Sequence, residues 1–160
     1  MRILSRVRAR VPDLRLTIVG TWDRHGTRYL NRLQSLARSL GDWIQFRQNV
    51  SRDEMRGLMG SHRYGIHGMR EEHFGMAPAE LARAGVIVWV PRGGGQMEIV
   101  GNEPSLVYDS EDDAVAKITA VMADTAAQDR LRQPLAVRAE MFSTDRFVRE
   151  VREIVATFRE

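Results

Sequence analysis

The chain has 160 residues, a hydrophobic content of 43% and a formal net charge of +3 at pH 7. It contains no cysteine and only four scattered histidines, which excludes disulfide bonds and a cysteine nucleophile and disfavours a metal site. Charges of both signs are interspersed, and no apolar run approaches the roughly 20 residues that cross a bilayer. We therefore predict one cytoplasmic domain that does not bind nucleic acid.

Strand and helix patterns alternate in the first part of the chain. Residues 1–10 have the pattern of the end of a helix, and the apolar run 14–20, which ends at glycine, is predicted as a buried strand. Residues 27–40 carry apolar side chains at three- and four-residue spacing, which predicts a helix. Residues 43–46 are predicted as a second strand, and Ser51 as the cap of a short helix.

The alternation continues in the second part. We predict strands at 64–69, 86–90 and 106–108, and helices at 78–84, 96–100, 112–122, 128–141 and 144–158. The strands are continuous apolar runs, as in parallel sheets whose two faces are both covered. The sequence therefore predicts a single-domain α/β fold over residues 1–160: a Rossmann-like, doubly wound parallel sheet with helices on both faces.

Ligands of such sheets bind beyond the carboxyl ends of the strands. A helix that starts near Gly75 or Met76 would present free N–H groups and a positive dipole end to a phosphate. Glu72 precedes this start and Glu80 follows it, roughly 6 to 8 Å along the helix axis. A nucleoside diphosphate sugar has a matching layout, because its two rings flank the phosphates and carry vicinal hydroxyls that carboxylates bind.

Both features of this region have a simpler explanation as well. Two glutamates beside a helix start interact favourably with the helix dipole without any ligand. A second glycine-rich turn, residues 92–95, either brings backbone amides to a phosphate or is only a flexible turn.

The pattern E-x7-E of Glu72 and Glu80, with Phe74-Gly75 between them and Gly94-Gly95 farther on, resembles the donor site of glycosyltransferase family 4. The resemblance implies the C-terminal, donor-binding half of a GT-B fold and glycosyl transfer with retention, without a metal or other cofactor. His67 and the sequence around it are most similar to the α-1,2-mannosyltransferase branch of lipid-linked oligosaccharide assembly. That branch uses GDP-mannose, so the expected ligand is a GDP- or UDP-sugar.

The resemblance also implies roles for individual residues. Glu72 would bind hydroxyls of the donor sugar, Glu80 those of the ribose, and the backbone at Phe74, Gly75 and Met76 the phosphates and sugar. Further candidate neighbours of the phosphates or nucleotide are Gly20, Asn49, Val50, His73, Gly94 and Gly95. His73 stands where the wider family has glycine. His67 is a candidate catalytic residue, or else a buried histidine at a strand end.

The chain departs from the family in three respects. The Arg and Lys that neutralise the leaving diphosphate have no counterpart here, because the first strand, which carries the Arg, would lie upstream of Met1. The only lysine, Lys117, is predicted on an exposed helix. The acceptor-binding domain has no counterpart either, so we expect donor binding but slow or no transfer unless a partner, such as an acceptor-domain protein, or the rest of a longer polypeptide contributes. Self-association into a homo-oligomer is a further expectation.

Other functions remain open from the sequence. One is a non-catalytic, donor-like domain that binds or regulates a partner, and another is a sugar-nucleotide epimerase. A NAD-dependent dehydrogenase is disfavoured, because no G-x-G-x-x-G follows the first strand. The arginine-rich start would allow at most a peripheral contact with the inner face of a membrane.

Overall fold

In a computed structural model, the chain consists of parallel β-strands that alternate with α-helices. The structure describes residues 1–22 and 26–158. The chain divides into two compact units, Met1–Leu58 and Met59–Glu160. Each unit has its own parallel sheet. Parallel strands with helices on both sides confirm the predicted α/β class, while a single domain over residues 1–160 stays a prediction.

The first unit pairs two strands. Its elements in chain order are α1 (Arg2–Arg8), β1 (Leu16–Gly20), α2 (Thr27–Leu40), β2 (Ile44–Gln48) and the first part of α3 (Arg52–Ser61). Strands β1 and β2 are parallel, with Leu16 opposite Ile44 and Gly20 opposite Gln48. The core is formed by apolar side chains of α1 and α2 and of the turn before β2: Leu4, Val7, Leu30, Ala37 and Trp43.

The helix boundaries of this unit follow from local signals in the sequence. Helix α2 has the predicted bounds, and the N–H of Gly41 donates to the Ala37 carbonyl at its end. At the start of α3, the Ser51 hydroxyl accepts a hydrogen bond of 3.2 Å from the Glu54 N–H, which confirms Ser51 as the cap.

The second unit contains a three-stranded parallel sheet in the order β3-β4-β5. Its elements are β3 (Tyr64–Ile66), α4 (Met76–Arg83), β4 (Ile87–Pro91), α5 (Gln96–Ile99), β5 (Val107–Tyr108), α6 (Glu111–Ala123), α7 (Thr125–Met141) and α8 (Thr144–Thr157). Every residue of the central strand β4 is buried, and helices α4 and α7 contact that strand. This burial explains why the strand is a continuous apolar run.

Strand β3 is shorter than the predicted 64–69. The His67 N–H still bonds the Trp89 carbonyl at 2.9 Å, but the His67 carbonyl accepts from the Tyr108 hydroxyl at 2.7 Å. Strand pairing ends there because the next backbone partner of the His67 carbonyl would be residue 91, and Pro91 has no N–H; the Tyr108 hydroxyl takes its place. The residues that follow are therefore free to form the loop that leads to α4.

Helix α8 carries an exposed apolar face. Phe147, Val151 and Ile154, together with Phe158 directly after the helix, are between 40% and 84% exposed and recur at helical spacing. No helix in the described part of the chain is long and apolar enough to cross a membrane.

Candidate functional site

The loop between β3 and α4 contains most of the predicted site residues of the second unit. His67 begins this loop, and its backbone is held by Trp89 of β4 and Tyr108 of β5. Burial raises the pKa of Tyr108, so its phenol stays protonated and donates to the His67 carbonyl. The start of the loop is thus attached to β4, the neighbour of β3, and to β5, one strand farther in the sheet.

Glu72 lies at the other end of the loop. Its Oε1 accepts a hydrogen bond of 3.3 Å from the Gly75 N–H, and its Oε2 is 3.6 Å from Nε2 of His67. Both side chains are largely covered, with 26% of Glu72 and 21% of His67 exposed. Glu72 therefore interacts with the start of α4 without a ligand, as in the simpler explanation, and the structure brings together two of the predicted residues, His67 and Glu72.

Helix α4 begins directly beyond Glu72. Its N-cap is Gly75, which has a left-handed backbone with φ of 100° that other residues adopt only under strain. Gly75 has no side chain to bond the first turn, and Pro78 has no N–H. The amides of Met76 and Ala77 are therefore the backbone donors that this turn offers to a ligand.

Glu80 lies in the second turn of α4 and is exposed. At 1.5 Å per residue, it stands about 6 to 8 Å along the axis from the helix start. The two carboxylates thus flank the N-terminus of α4, with Glu72 before it and Glu80 beyond it. Phe74 and Met76 are 48% and 71% exposed, and the Phe74 ring contacts that of Phe142 edge to face at 5.8 Å.

The second glycine-rich turn packs against this loop backbone to backbone. A Cβ atom on Gly94 would lie 2.0 Å from the Glu72 carbonyl oxygen, and one on Gly95 would lie 2.4 Å from that of His73. The Gly95 N–H donates to the Glu72 carbonyl at 2.9 Å. These glycines therefore allow two loops to meet, and the predicted contact of Gly94 and Gly95 with a nucleotide stays a prediction.

Charged pairs surround the carboxyl ends of β4 and β5. Arg92, after β4, binds Asp109, after β5, through both guanidinium Nε and Nη2, the latter at 3.2 Å from Oδ2. The hydrogen bond from Arg92 lowers the pKa of Asp109, and the same bond raises the pKa of Arg92. Both groups stay charged at neutral pH.

Lys117 does not lie on an exposed helix as predicted, because four residues of α6 are buried. The side chain of Lys117 is 23% exposed, and Nζ donates to the Val107 carbonyl at 2.6 Å and to Oδ2 of Asp113 at 2.8 Å. The (i, i+4) spacing on α6 places the two charges together, and the adjacent strand end supplies the second acceptor. Lys117 therefore fastens α6 to β5.

The remaining candidates, Gly20, Asn49 and Val50, lie in the first unit, where two strand ends meet. The Asn49 N–H donates to the Gly20 carbonyl at 3.1 Å. Its side-chain Oδ1 accepts from the Trp22 N–H at 3.0 Å, and its φ of 51° is left-handed. Asn49 therefore joins the loops after β1 and β2. A contact of these residues with a nucleotide stays a prediction.

Tyr108 and Gln96 belong to no motif that the sequence displays, yet both hold the loop of Glu72 in place. Tyr108 was predicted only as part of a strand, and its hydroxyl partner is far away along the chain. Gln96 is fully buried directly after the glycine-rich turn. A polar residue that starts a short helix beneath a buried strand is a weak signal. Among the described residues, no group of three or more histidine or acidic side chains is placed to hold a metal ion.

Sequence relatives of this chain include GDP-Man:Man(3)GlcNAc(2)-PP-Dol alpha-1,2-mannosyltransferases. The human protein is 28% identical over 146 residues, which are 85% of this chain and 30% of that protein. The mouse protein is 29% identical over 129 residues, which are 74% of this chain and 26% of that protein. The chain thus spans less than a third of the length of these relatives.

Solved structures with the same fold include sucrose-phosphate synthase from Thermosynechococcus elongatus, with a TM-score of 0.81 at 18% identity. Anabaena HepE, in complex with UDP and glucose, has a TM-score of 0.82 at 19% identity. These similarities cover 98% of this chain and 41% and 44% of the two structures. At such identities they concern the fold, and they confirm the predicted GT-B type.

The family model described as glycosyl transferases group 1 matches residues 1–135. This span includes both glutamates of the E-x7-E pattern and the two glycine-containing turns around them. Because the match covers most of the 160 residues, the chain belongs to the glycosyl transferases group 1 family.

Proposed function

We propose that the chain binds a nucleoside diphosphate sugar at the N-terminus of α4 and takes part in glycosyl transfer with retention of configuration. The observation that carries the proposal is the position of the Glu72 carboxylate, 3.3 Å from the amide that begins α4. An anion-binding helix start between two carboxylates suits a ligand whose phosphates lie between two hydroxyl-bearing rings.

In this proposal Glu72 binds hydroxyls of the donor sugar and Glu80 those of the ribose. The bond from Gly75 to Glu72 does not prevent this, because a carboxylate has about four acceptor positions. The amides of Met76 and Ala77 receive the phosphates. His67, beside Oε2 of Glu72, is a candidate contact to the phosphate or acceptor. No metal or other cofactor is required.

The donor that we favour is GDP-mannose, because the sequence relatives are GDP-mannose-dependent by name and are 28% and 29% identical. A UDP-sugar is the alternative, supported by HepE, whose structures contain UDP, UDP with glucose and UDP-glucose. Their lower identity of 19% to 20% gives them less weight.

Transfer needs more than this donor site. A leaving diphosphate develops negative charge, which cations and helix termini stabilise. The family's Arg and Lys have no counterpart in the sequence, and Lys117 is engaged by Val107 and Asp113. We propose that the missing cations and the acceptor site come from further residues of a longer polypeptide or from a partner. The exposed apolar face of α8 is the surface that such a domain would cover.

The same face of α8 favours the second candidate function, a donor-like domain without catalytic activity that binds a partner. The two functions differ in what they ask of Glu80. Nucleotide affinity that depends on Glu80 supports donor binding. The second function is supported if the unsubstituted chain does not bind nucleotide and if both it and Glu80→Gln still bind a partner. In either case we place the protein in the cytoplasm or at the inner surface of a membrane.

The first test is thermal denaturation of the chain with UDP, GDP, UDP-glucose and GDP-mannose, followed by titration calorimetry with the nucleotide that stabilises it most. A ligand that binds only the folded state raises the melting temperature. We expect Glu80→Gln to weaken nucleotide and nucleotide sugar alike by about 10- to 100-fold, the effect of losing a hydrogen bond to a charged group. Glu72→Gln should weaken only the nucleotide sugar.

Glu71→Gln is the matched control, because Glu71 is an exposed neighbour in the same loop. No stabilisation by any of the four compounds contradicts the proposed donor binding. A second assay adds acceptor and determines the anomeric configuration of the product. Turnover by the isolated chain at the rate of complete enzymes contradicts the need for further residues, and an inverted product contradicts retention.

A further inference from the structure

Gln96 is a buried glutamine that joins the two loops of the candidate site. It is the first residue of α5, directly after the glycine-rich turn, and none of its surface is exposed. Its side-chain Nε2 lies within hydrogen-bond distance of four backbone carbonyls: Met69 at 2.7 Å, Gly93 at 3.1 Å, Pro91 at 3.2 Å and Arg70 at 3.4 Å.

These four carbonyls fix the orientation of the amide. Each is an acceptor only, so the nitrogen of Gln96 must face them, since the oxygen would be repelled. Oε1 of Gln96 is buried and has no hydrogen-bond partner among the described residues. Buried acceptors usually have one. The position of Gln96 is therefore explained by the hydrogen bonds that its Nε2 donates to backbone carbonyls.

The carbonyls belong to the two loops that meet at the glycine-rich turn. Met69 and Arg70 lie in the loop that carries Glu72, three and two residues before it, whereas Pro91 and Gly93 lie at the end of β4 and after it. One amide group thus connects the loop after β3 with the loop after β4.

Gln96 also contacts the far end of the Glu72 loop. A Cβ atom on Gly75 would lie 3.1 Å from both Cα and Cβ of Gln96. The backbone of the N-cap of α4 therefore lies directly against Gln96. The side chain of Gln96 holds one end of residues 69–75, and the main chain of Gln96 contacts the other end. Glu72 lies between these two contacts.

We propose that Gln96 is a positioning residue for Glu72: it fixes the loop so that the carboxylate stays at the start of α4, where the donor sugar binds. This inference rests on the proposed function. It predicts that loss of the Gln96 amide affects the sugar part of the ligand, which Glu72 binds, and leaves the affinity for the nucleotide part unchanged.

The test compares two dissociation constants for each variant of the chain, one for GDP-mannose or UDP-glucose and one for the corresponding diphosphate. The Kd of the diphosphate divided by the Kd of the nucleotide sugar measures what the sugar contributes to binding. In Gln96→Met, a side chain of similar length without donors, we expect this ratio to fall about tenfold, as for the loss of a hydrogen bond to a charged group. The Kd of the diphosphate should stay within about twofold.

Gln128→Met is the matched control. Gln128 is the other buried glutamine of this unit, 2% exposed, and its Nε2 donates to the carbonyls of Val121 and Met122. It holds no residue of the Glu72 loop through these bonds. A general loss of stability would affect both variants, so an equal change of the ratio in both overturns the proposal.

A double-mutant cycle with Glu72→Gln separates positioning from direct binding. If Gln96 acts through Glu72, Gln96→Met has no further effect on the ratio once Glu72 is replaced. Independent, additive effects of the two substitutions overturn the proposal.

Gln96→Glu provides a readout that does not depend on the folding of Gln96→Met. An ionised carboxylate beside four carbonyls is repelled, but a protonated one donates a single O–H. We divide the ratio in this variant by that of the unsubstituted chain at the same pH. This relative ratio should rise towards one as the pH is lowered from 8 to 5, because the carboxylate becomes protonated. A relative ratio that does not change with pH overturns the proposal.

The outcomes for the unsubstituted chain distinguish this inference from the proposed function. If it binds neither diphosphate nor nucleotide sugar, the proposed function fails and the inference fails with it. If it binds both and the sugar contributes, but Gln96→Met keeps the ratio, only the role of Gln96 is overturned.

Discussion

Gly94 approaches the Glu72 carbonyl so closely that a Cβ atom on Gly94 would lie 2.0 Å from that oxygen. Gly94 also has a left-handed backbone, with φ of 68°. A residue with a side chain would therefore have to displace the loop that carries Glu72. The glycine-rich turn and the candidate sugar-binding carboxylate form one unit of structure, although Gly94 and Glu72 are 22 positions apart along the chain, the difference between their residue numbers.

We predict that Gly94→Ala lowers the free energy of unfolding more than Gly85→Ala does. Gly85 has a similar φ of 79°, but nothing lies within 4 Å of its Cβ position. Backbone strain costs about 1 to 2 kcal/mol at both sites, and overpacking adds about 1 to 3 kcal/mol at Gly94. Urea denaturation of the two variants measures the difference, and equal losses would contradict the close contact.

Substitutions of Asn49 test how the loops after β1 and β2 are joined in the first unit. Asn49→Gly keeps a residue that adopts φ of 51° easily but removes the bonds to Trp22. Asn49→Ala removes the same bonds and adds strain of about 1 kcal/mol. We therefore expect Asn49→Ala to be the less stable of the two in thermal denaturation. The opposite order would show that the left-handed backbone is not retained.

The two serine caps of the second unit should differ in their effects. Ser110 accepts from the Asp113 N–H at 3.1 Å at the start of α6, a helix with four buried residues. Ser143 caps α8, which has no buried residue among those described. We expect Ser110→Ala to cost about 1 kcal/mol of global stability.

Ser143→Ala should instead increase hydrogen exchange in α8 without changing the global free energy of unfolding, because little packing depends on that helix. Hydrogen exchange measured by mass spectrometry distinguishes the two helices. A global loss in Ser143→Ala equal to that in Ser110→Ala would contradict the exposed position of α8.

The ionisation of Asp113 makes the free energy of unfolding depend on pH at acidic pH. The hydrogen bond from Lys117 lowers the pKa of Asp113 in the folded state, whereas in the unfolded state the pKa is about 3.9. The unfolded chain therefore binds the proton first, and this contribution is complete above pH 4 and lost as the pH falls through the folded-state pKa.

We expect Asp113→Asn to be less stable than the unsubstituted chain at pH 7, with a difference that shrinks as the pH falls below 4. Urea denaturation at a series of pH values measures this difference. Asp13→Asn, at an exposed carboxylate of the first unit, is the control. A difference that stays constant down to pH 2 would show that the ion pair with Lys117 does not contribute.

The sequence by itself determined the alternation of elements, the bounds of α2, the cap at Ser51 and the glycine directly before α4. It also indicated the family, through Glu72, Glu80 and the glycines between and after them. These features are local: apolar spacing, caps and positive φ act within a few residues, so one stretch of sequence is enough to predict them.

Only the tertiary structure decided where β3 ends, what the glycine-rich turn contacts and what Lys117 binds. The Tyr108 hydroxyl bonds the His67 carbonyl where β3 ends, Gly94 makes room for the Glu72 carbonyl, and Lys117 reaches the end of β5. Each of these contacts joins segments that are distant along the chain or belong to different elements. Their partners are brought together by the pairing of parallel strands and not by spacing in the sequence, and this is why Gln96 carried only a weak signal before the fold was known.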